Sequence, residues 1–388
     1  MPQPSDIICF AKDWNEPKTS VNHVMEELAK THRILWVNSI AMRSANFASA
    51  RDWKKIFRKL RTLFRGMQQP LPNLRVFTPL VIPLPNSRLA QAINRRLLRW
   101  GINRAAKRWG LQRPQLWIFQ PNAVDFIGEF HESLVVYYCV DDFSGFSYLN
   151  AKLMRQKEQN LTARANVVFV TARKLLDQKL AQNPHTYLVP HAVNHELFAQ
   201  ALVPDCVVPV ELQRLPRPII GYYGNLYDWV DQELLAALAQ ARPAWSFVLV
   251  GKIMSEVSVL QAQRNIHLLG PRSYEELPAY CKGFDVGIIP YKTADPRMQS
   301  VNPLKLREYL AAGLPVVSVD LPEVHNVCAD VRVAHTVAEF LQQIEAALAQ
   351  NSSADRCRRS QAMLTETWSA RMATIEQHLA NLPVVNHV

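Results

Sequence analysis

Short apolar runs rich in β-branched and aromatic residues alternate along this chain with stretches of helical period, and that alternation limits the fold more than any other feature. In the first half the runs are IICF (7–10), ILWVN (34–38), LRVFTP (74–79), LWIFQ (116–120), LVVYYCV (134–140), VVFVT (167–171) and TYLVP (186–190). Helix-like segments fall between them at 20–30, 87–109, 148–163 and 172–183. In the first of these, Val21, Val24, Met25 and Leu28 make one apolar face, with Ser20 as the expected N-cap. Strands that are apolar throughout, rather than alternating, are buried on both faces. That is the signature of a parallel sheet covered by helices.

The rhythm breaks at 203–218, VPDCVVPVELQRLPRP, whose four prolines and lack of period read as a linker. It then restarts with IIGYY (219–223), SFVLVG (246–251), IHLLG (266–270), VGIIPY (286–291), VVSVD (316–320) and VRVA (331–334). Helices are expected at 231–241, 273–281, 303–312, 336–350 and 354–382. The expected fold class is α/β: two Rossmann-like, doubly wound parallel-sheet domains facing a central cleft. Their expected bounds are 1–202 and 219–366, with a C-terminal helix in 367–388 crossing back to the first domain. A chain of 388 residues with 48% hydrophobic content can bury two cores. Open sheets of this kind bind ligands outside the carboxyl ends of their strands.

Membrane-spanning and secreted classes are not expected from this sequence. No run of about 18 apolar residues is present to span a bilayer. MPQPSDIICFAKDW lacks the basic-then-apolar order of a signal peptide. The cysteines, Cys9, Cys139, Cys206, Cys281, Cys328 and Cys357, are scattered, with no paired spacing. They read as reduced thiols of a cytoplasmic protein, with no metal site expected.

The most informative local segment is SVNPLKLREYLAAGLPVVS (300–318). Asn302 suits an N-cap and Pro303 the first helical position. Gly313 suits the residue after the helix, and Pro315 forbids its continuation. A short helix so delimited offers unpaired N–H groups from around residues 301–304, a ready site for a diphosphate with Ser300, Val301 and Asn302 among the donor-binding candidates. Lys305 and Glu308 lie three apart on one helix face. A cation beside phosphate and a carboxylate accepting two ribose hydroxyls would together read a nucleotide. The same spacing also fits a capped surface helix with an ion pair between those two residues.

Several segments together resemble glycosyltransferase family 4 and its relatives in the GT-B superfamily. IGYYGNLYDWVD (220–231) is similar to the family's first strand and glycine loop of the donor domain. SFVLVGK, NIHLLGPRSYEELPAYCKGFDVGIIPY and NPLKLREYLAAGLPVVS follow in the family's order. VPHAVNHELF (189–198) resembles the segment that closes the first domain, and TWSARMATIEQHL (367–379) the final helix. DWNEPKTSVNHVMEELAKTHRILWVN (13–38) resembles bacterial cell-surface polysaccharide transferases.

The resemblance implies a metal-independent hexosyltransferase that moves a sugar from a nucleotide-sugar to a hydroxyl of a glycan or lipid-linked acceptor. No cofactor is implied beyond that co-substrate, with UDP the preferred nucleotide. It implies that Glu308 binds the ribose, that Lys305 with backbone near Val301 and Asn302 binds the diphosphate, and that Gly224 and Asn225 approach the phosphates. Tyr291 would pack by the base or sugar. Many retaining members carry two glutamates eight residues apart, and here the earlier position is Ser300. The linker motif's Asn-Gly is His191-Ala192. Both departures suit a branch nearer the inverting xanthan-type glucuronosyltransferase.

An inverting transfer needs a base for the acceptor hydroxyl. Asp141 and Asp142, after the strand at 134–140, are candidates, with Asp142 slightly preferred. Each could equally end the strand or cap the next segment. Asp13, in the loop after IICF, is a rival. His23 is a third, because its helical angle lies opposite the apolar stripe and so predicts exposure.

The net charge of +11 is unevenly placed: residues 51–110 hold fifteen Lys and Arg against one acid, Asp52. Within RDWKKIFRKLRTLFR (51–65), Trp53, Phe57 and Phe64 line one helical face, and Lys54, Arg58 and Arg61 flank it. This is the pattern of an interfacial helix on an anionic membrane surface, and also of an ordinary sheet-covering helix with a solvated basic face. It suggests a cytoplasmic protein held peripherally at the inner leaflet. The competing readings are a sugar-nucleotide epimerase of the same architecture and a non-enzymatic basic membrane- or nucleic-acid-binding protein. No nucleic-acid module is recognisable in the sequence, and no nucleic-acid partner is expected.

Overall fold

The structure, a computed structural model, describes residues 6–40, 67–79, 82, 87–142, 151–327 and 330–382. The chain divides into two compact units, Met1–Pro190 with Met372–Val388, and His191–Arg371.

The first unit runs β1 (Ile7–Phe10), α1 (Ser20–Leu28), β2 (Ile34–Val37), β3 (Gln68–Leu71), β4 (Leu74–Phe77), α2 (Arg88–Trp109), β5 (Gln115–Ile118), β6 (Leu134–Cys139), α3 (Ala151–Arg164), β7 (Val167–Val170), α4 (Arg173–Leu180) and β8 (Thr186–Leu188). Its sheet order is β3-β4-β2-β1-β5-β6-β7-β8, parallel except for the β3–β4 hairpin. Every residue of β1, β2 and β7 is buried, as their unbroken apolar runs require. β3 has no counterpart among the apolar runs of the sequence. Gln68, Gln69 and Pro70 carry no apolar period, and Pro70 is tolerated because the strand lies at a sheet edge. His378 stacks on Tyr187 with ring centroids 3.9 Å apart, joining the chain's last helical segment to this unit.

α1 departs from expectation twice. Its N-cap is Thr19, not Ser20, and Asn22 Oδ1 accepts the Thr19 N–H at 3.1 Å. His23 is buried, only 4% exposed, with its Nδ1 3.6 Å from Glu26 Oε2. The apolar stripe marks one buried face, but Ser20, Asn22 and His23 are buried as well. Burial of a polar helix face leaves no hydrophobic signal in the sequence.

The second unit runs β9 (Ile219–Tyr223), α5 (Gln232–Ala241), β10 (Ser246–Val250), β11 (Ile266–Gly270), α6 (Leu277–Gly283), β12 (Val286–Ile289), α7 (Leu304–Ala311), β13 (Val316–Val319), β14 (Val331–Ala334), α8 (Val337–Ala349) and α9 (Ser353–Ala362). A last helix, α10 (Trp368–Ala380), begins here and ends among the residues of the first unit. The sheet is wholly parallel in the order β11-β10-β9-β12-β13-β14. The strand order therefore reverses between β9 and β12, and a doubly wound sheet opens a crevice at the carboxyl ends of the two strands beside such a reversal. Residues 203–218 belong to this unit, and Leu212 is buried there. Among the described residues no helix is long and apolar enough to cross a membrane.

Burial pushes the thiols of Cys9, Cys139 and Cys281 upward, Cys139 to about 12. These three serve as small hydrophobes, not as nucleophiles.

Candidate functional site

β9 and β12 deliver Gly224 and Tyr291 to the switch point, and α7 enters beside them. Gly224 follows β9 with φ +137°, a conformation L side chains rarely adopt. A Cβ there would lie 2.9 Å from Lys305 Nζ and 3.1 Å from Tyr222 Oη. The loop beyond it is tied down. Val230 pairs with Tyr291, the Lys292 N–H donates to Trp229 O at 2.9 Å, and Arg297 lies over the Trp229 ring at 4.8 Å. Asn225 sits half-buried just after Gly224.

α7 begins one residue later than expected. Its N-cap is Pro303, and Asn302 is spent elsewhere: Arg307 Nη1 donates to Asn302 Oδ1 at 2.9 Å. The other end matches expectation. Gly313 has φ +78°, the Leu314 N–H reaches Tyr309 O at 2.9 Å, and the Gly313 N–H reaches Leu310 O at 2.9 Å, which is a Schellman closure. Leu306 to Ala311 are all buried, so the surface-helix reading fails.

Lys305 Nζ donates to Tyr291 Oη at 2.6 Å and to Tyr222 Oη at 3.3 Å. It also lies over both rings, 4.3 Å from the Tyr222 centroid and 4.9 Å from that of Tyr291. Burial pushes the Tyr222 phenol well up, so it stays neutral beside the cation. One turn on, Glu308 is 3% exposed, and its Oε2 accepts from Tyr223 Oη at 2.7 Å. Burial, reinforced by the Glu308 carboxylate, holds the Tyr223 proton in place. Tyr309 Oη accepts the Tyr223 N–H at 3.0 Å and locks α7 to the end of β9. A cation and a carboxylate on one short helix are thus fixed at the switch point by tyrosines. Val301 is half-buried beside them, and the Ser300 hydroxyl donates to Arg297 O at 3.2 Å.

The structure brings Gly224, Tyr291, Lys305 and Glu308 together here, and Tyr222, Tyr223 and Arg307 join them without having been singled out. In the sequence the two tyrosines are visible only as apolar strand residues of IIGYY. Arg307 gives no signal, because a cation on a helix is ordinarily solvated. Here it is 2% exposed, bound to Asn302 and, through Nε, to Glu366 Oε2 at 3.1 Å. Arg371 shares that carboxylate.

His191 lies against this cluster. Burial, with Arg307 and Arg371, pushes its pKa down to about 3. The unfolded imidazole takes its proton near ~6.5. Its contribution to stability is therefore whole above that pH and is lost as pH falls toward the folded value. The slope is at most about 1.4 kcal/mol per pH unit. Urea melts at pH 7 and 4.5 should show the parent losing more stability than His191→Gln; parallel losses would remove the assignment.

Among the acids and the histidine considered as bases, Asp13 follows β1, and Asp141 and Asp142 follow β6, at the same end of one parallel sheet. Asp13 Oδ1 accepts both the N–H and the hydroxyl of Ser39, at 3.0 and 2.6 Å. Asp141 Oδ1 accepts the Asp142 N–H at 2.9 Å, and both residues are half-buried. His23 is enclosed in α1. Trp53, Lys54, Phe57, Arg58, Arg61 and Phe64 lie outside the described residues. Among the described residues no three His, Cys, Asp or Glu side chains gather to hold a metal ion.

Residues 217–350 match the family model for glycosyl transferases group 1. A curated protein of Bacillus subtilis (strain 168), assigned by its name to teichuronic acid biosynthesis as glycosyltransferase TuaH, is 33% identical over 205 residues. That match covers 48% of this chain and 51% of the relative, so it spans about half the length of each. Solved structures align over nearly the whole chain. Anabaena Alr3699/HepE, solved with UDP and glucose, has TM-score 0.67 at 14% identity, covering 97% of this chain and 99% of its own. A Rickettsia africae glycosyltransferase has TM-score 0.64 at 10% identity, covering 99% and 100%. The trehalose 6-phosphate synthase of Burkholderia multivorans has TM-score 0.62 at 11% identity, covering 98% of each. At such identities the likeness establishes the fold, which is GT-B.

Proposed function

From a GT-B chain whose second unit matches the glycosyl transferases group 1 model, we propose a glycosyltransferase of bacterial surface polysaccharide synthesis. It moves a hexose from a nucleotide-sugar to a hydroxyl of a glycan or lipid-linked acceptor. The observation that carries this reading is the pairing, on one buried helix at the switch point, of Lys305 and Glu308, each fixed by tyrosine. Lys305 and the positive end of α7 meet the diphosphate, Glu308 accepts from the ribose hydroxyls, and Gly224 lets the backbone approach. The UDP of the Anabaena structure and the role named for the Bacillus relative support the choice of UDP and of the pathway class.

As the glycosidic bond to the nucleotide breaks, negative charge grows on the departing diphosphate. Lys305 and the helix end are already oriented toward that charge and stabilise it without reorganisation. Metal-independent transfer fits that device. For the acceptor proton the candidates are Asp142 and Asp141, at the carboxyl end of β6, with Asp13, at the carboxyl end of β1, as the rival.

A thermal-shift screen across UDP-, GDP-, dTDP- and CMP-sugars tests the reading, because a ligand at 100 times its Kd stabilises the fold by about 2.7 kcal/mol. A UDP-sugar should raise the melting temperature. Asp142→Asn should keep that rise while losing turnover. No shift with any of the sugar nucleotides would sink the proposal.

A further inference from the structure

The outward face of α2 is apolar where a surface helix is ordinarily polar. Leu89 is 73% exposed, Ile93 37%, Leu97 44% and Trp100 67%. At 100° per residue these four fall within about 80° of one another, a single stripe over three turns. The core is served by the opposite side, where Leu98, Ile102, Ala105 and Ala106 are buried in the first unit. The stripe is therefore not displaced core; it is a second apolar face directed at solvent, larger than isolated surface residues make.

Its charge surroundings indicate what covers it. The 22 residues of α2 contain seven Arg and Lys and no acid. Arg95 and Arg99 turn aside to Glu129. Arg104 and Lys107 are exposed within the stripe's angular sector, Arg96 and Arg108 are exposed about 20° to either side of it, and no ion pair to any of them is found among the described residues. Arg104 lies 5.7 Å from the Trp100 ring centroid. A partner must accept aliphatic chains, an indole at the boundary and several unpaired cations together. An anionic lipid surface does so: the stripe enters the acyl boundary, tryptophan sits at headgroup level and the cations meet lipid phosphate. A nucleic acid would meet the cations but return nothing for Leu89, Ile93 and Leu97.

We propose that α2 is a lipid-docking helix that seats the first unit on an anionic bilayer. This adds a membrane partner to the functional reading and is tested apart from it. The full chain is sedimented with phosphatidylcholine vesicles, with and without phosphatidylglycerol, across a salt series. The parent should bind the anionic vesicles at least about tenfold more tightly, with binding weakening as salt rises. Leu97→Glu with Trp100→Glu should lose that binding by tenfold or more while keeping the UDP-sugar thermal shift, which also reports that the variant is folded. Arg96→Glu with Arg104→Glu should lose the anionic preference. Retained binding in the Leu97/Trp100 variant would overturn the proposal and move lipid contact to 51–65. So would absence of vesicle binding in the parent, whether the stripe instead joins two copies of the chain, seen as a dimer dissolved by the same variant, or the cations bind random DNA.

Discussion

Glu308→Gln is expected to weaken UDP-sugar binding by about 10- to 100-fold and to leave the free protein nearly as stable as the parent. The carboxylate is 3% exposed, held by the Tyr223 hydroxyl at 2.7 Å. A hydrogen bond to a charged group contributes about 1.5–3 kcal/mol where a neutral one contributes about 1. Two ribose hydroxyls donating to one carboxylate lose that difference when the charge goes, and each 1.4 kcal/mol is about tenfold in affinity. The glutamine oxygen still accepts from Tyr223, so the buried phenol keeps a partner. Glu308→Ala removes the acceptor altogether. It should lose the donor-induced shift completely and also cost about 1–3 kcal/mol for the stranded Tyr223 hydroxyl. The two variants separate binding from folding. Titration calorimetry with a UDP-sugar decides the matter: parental affinity in Glu308→Gln would mean that the carboxylate reads no hydroxyl and serves only to hold Tyr223.

Tyr223 also marks the boundary of what is legible in the sequence. The parallel sheets are legible because strands buried on both faces must be apolar throughout, and IICF, VVFVT and IIGYY can be little else. α7 is legible because Gly313 and Pro315 stop a helix by backbone geometry, whatever surrounds it. Burial of polar groups is not legible. His23, Asn302 and Arg307 are polar residues that the structure encloses, and for Arg307 the enclosing partner, Glu366, is distant in sequence. Asn302 reads as a cap because an asparagine before a proline suits one; no local pattern reveals that Arg307, five residues on, claims its oxygen. Likewise, basic density points to 51–65 as the membrane face, whereas the stripe on α2 emerges only once the sheet shows which side of that helix the core does not use.

Lys305→Met should lower kcat about 100- to 1,000-fold, the loss on removing one preorganised donor from a developing anion. Methionine keeps the length of the stem and its contact with the Tyr222 and Tyr291 rings, so packing changes little. What disappears is the charge, now 4.3 and 4.9 Å from those ring centroids. The substrate's diphosphate is already anionic before the bond breaks, so some ground-state binding is lost and KM rises too. Bond cleavage adds charge at the leaving oxygen, so the larger effect belongs in kcat. Arginine is not a safe substitute: its planar fork is wider than the ammonium and would press on Gly224, where even a Cβ would approach the present Nζ to 2.9 Å. Steady-state UDP release separates kcat from KM. If Lys305→Met changes KM alone, the lysine merely helps hold the donor and the departing charge must be stabilised elsewhere, as by the end of α7.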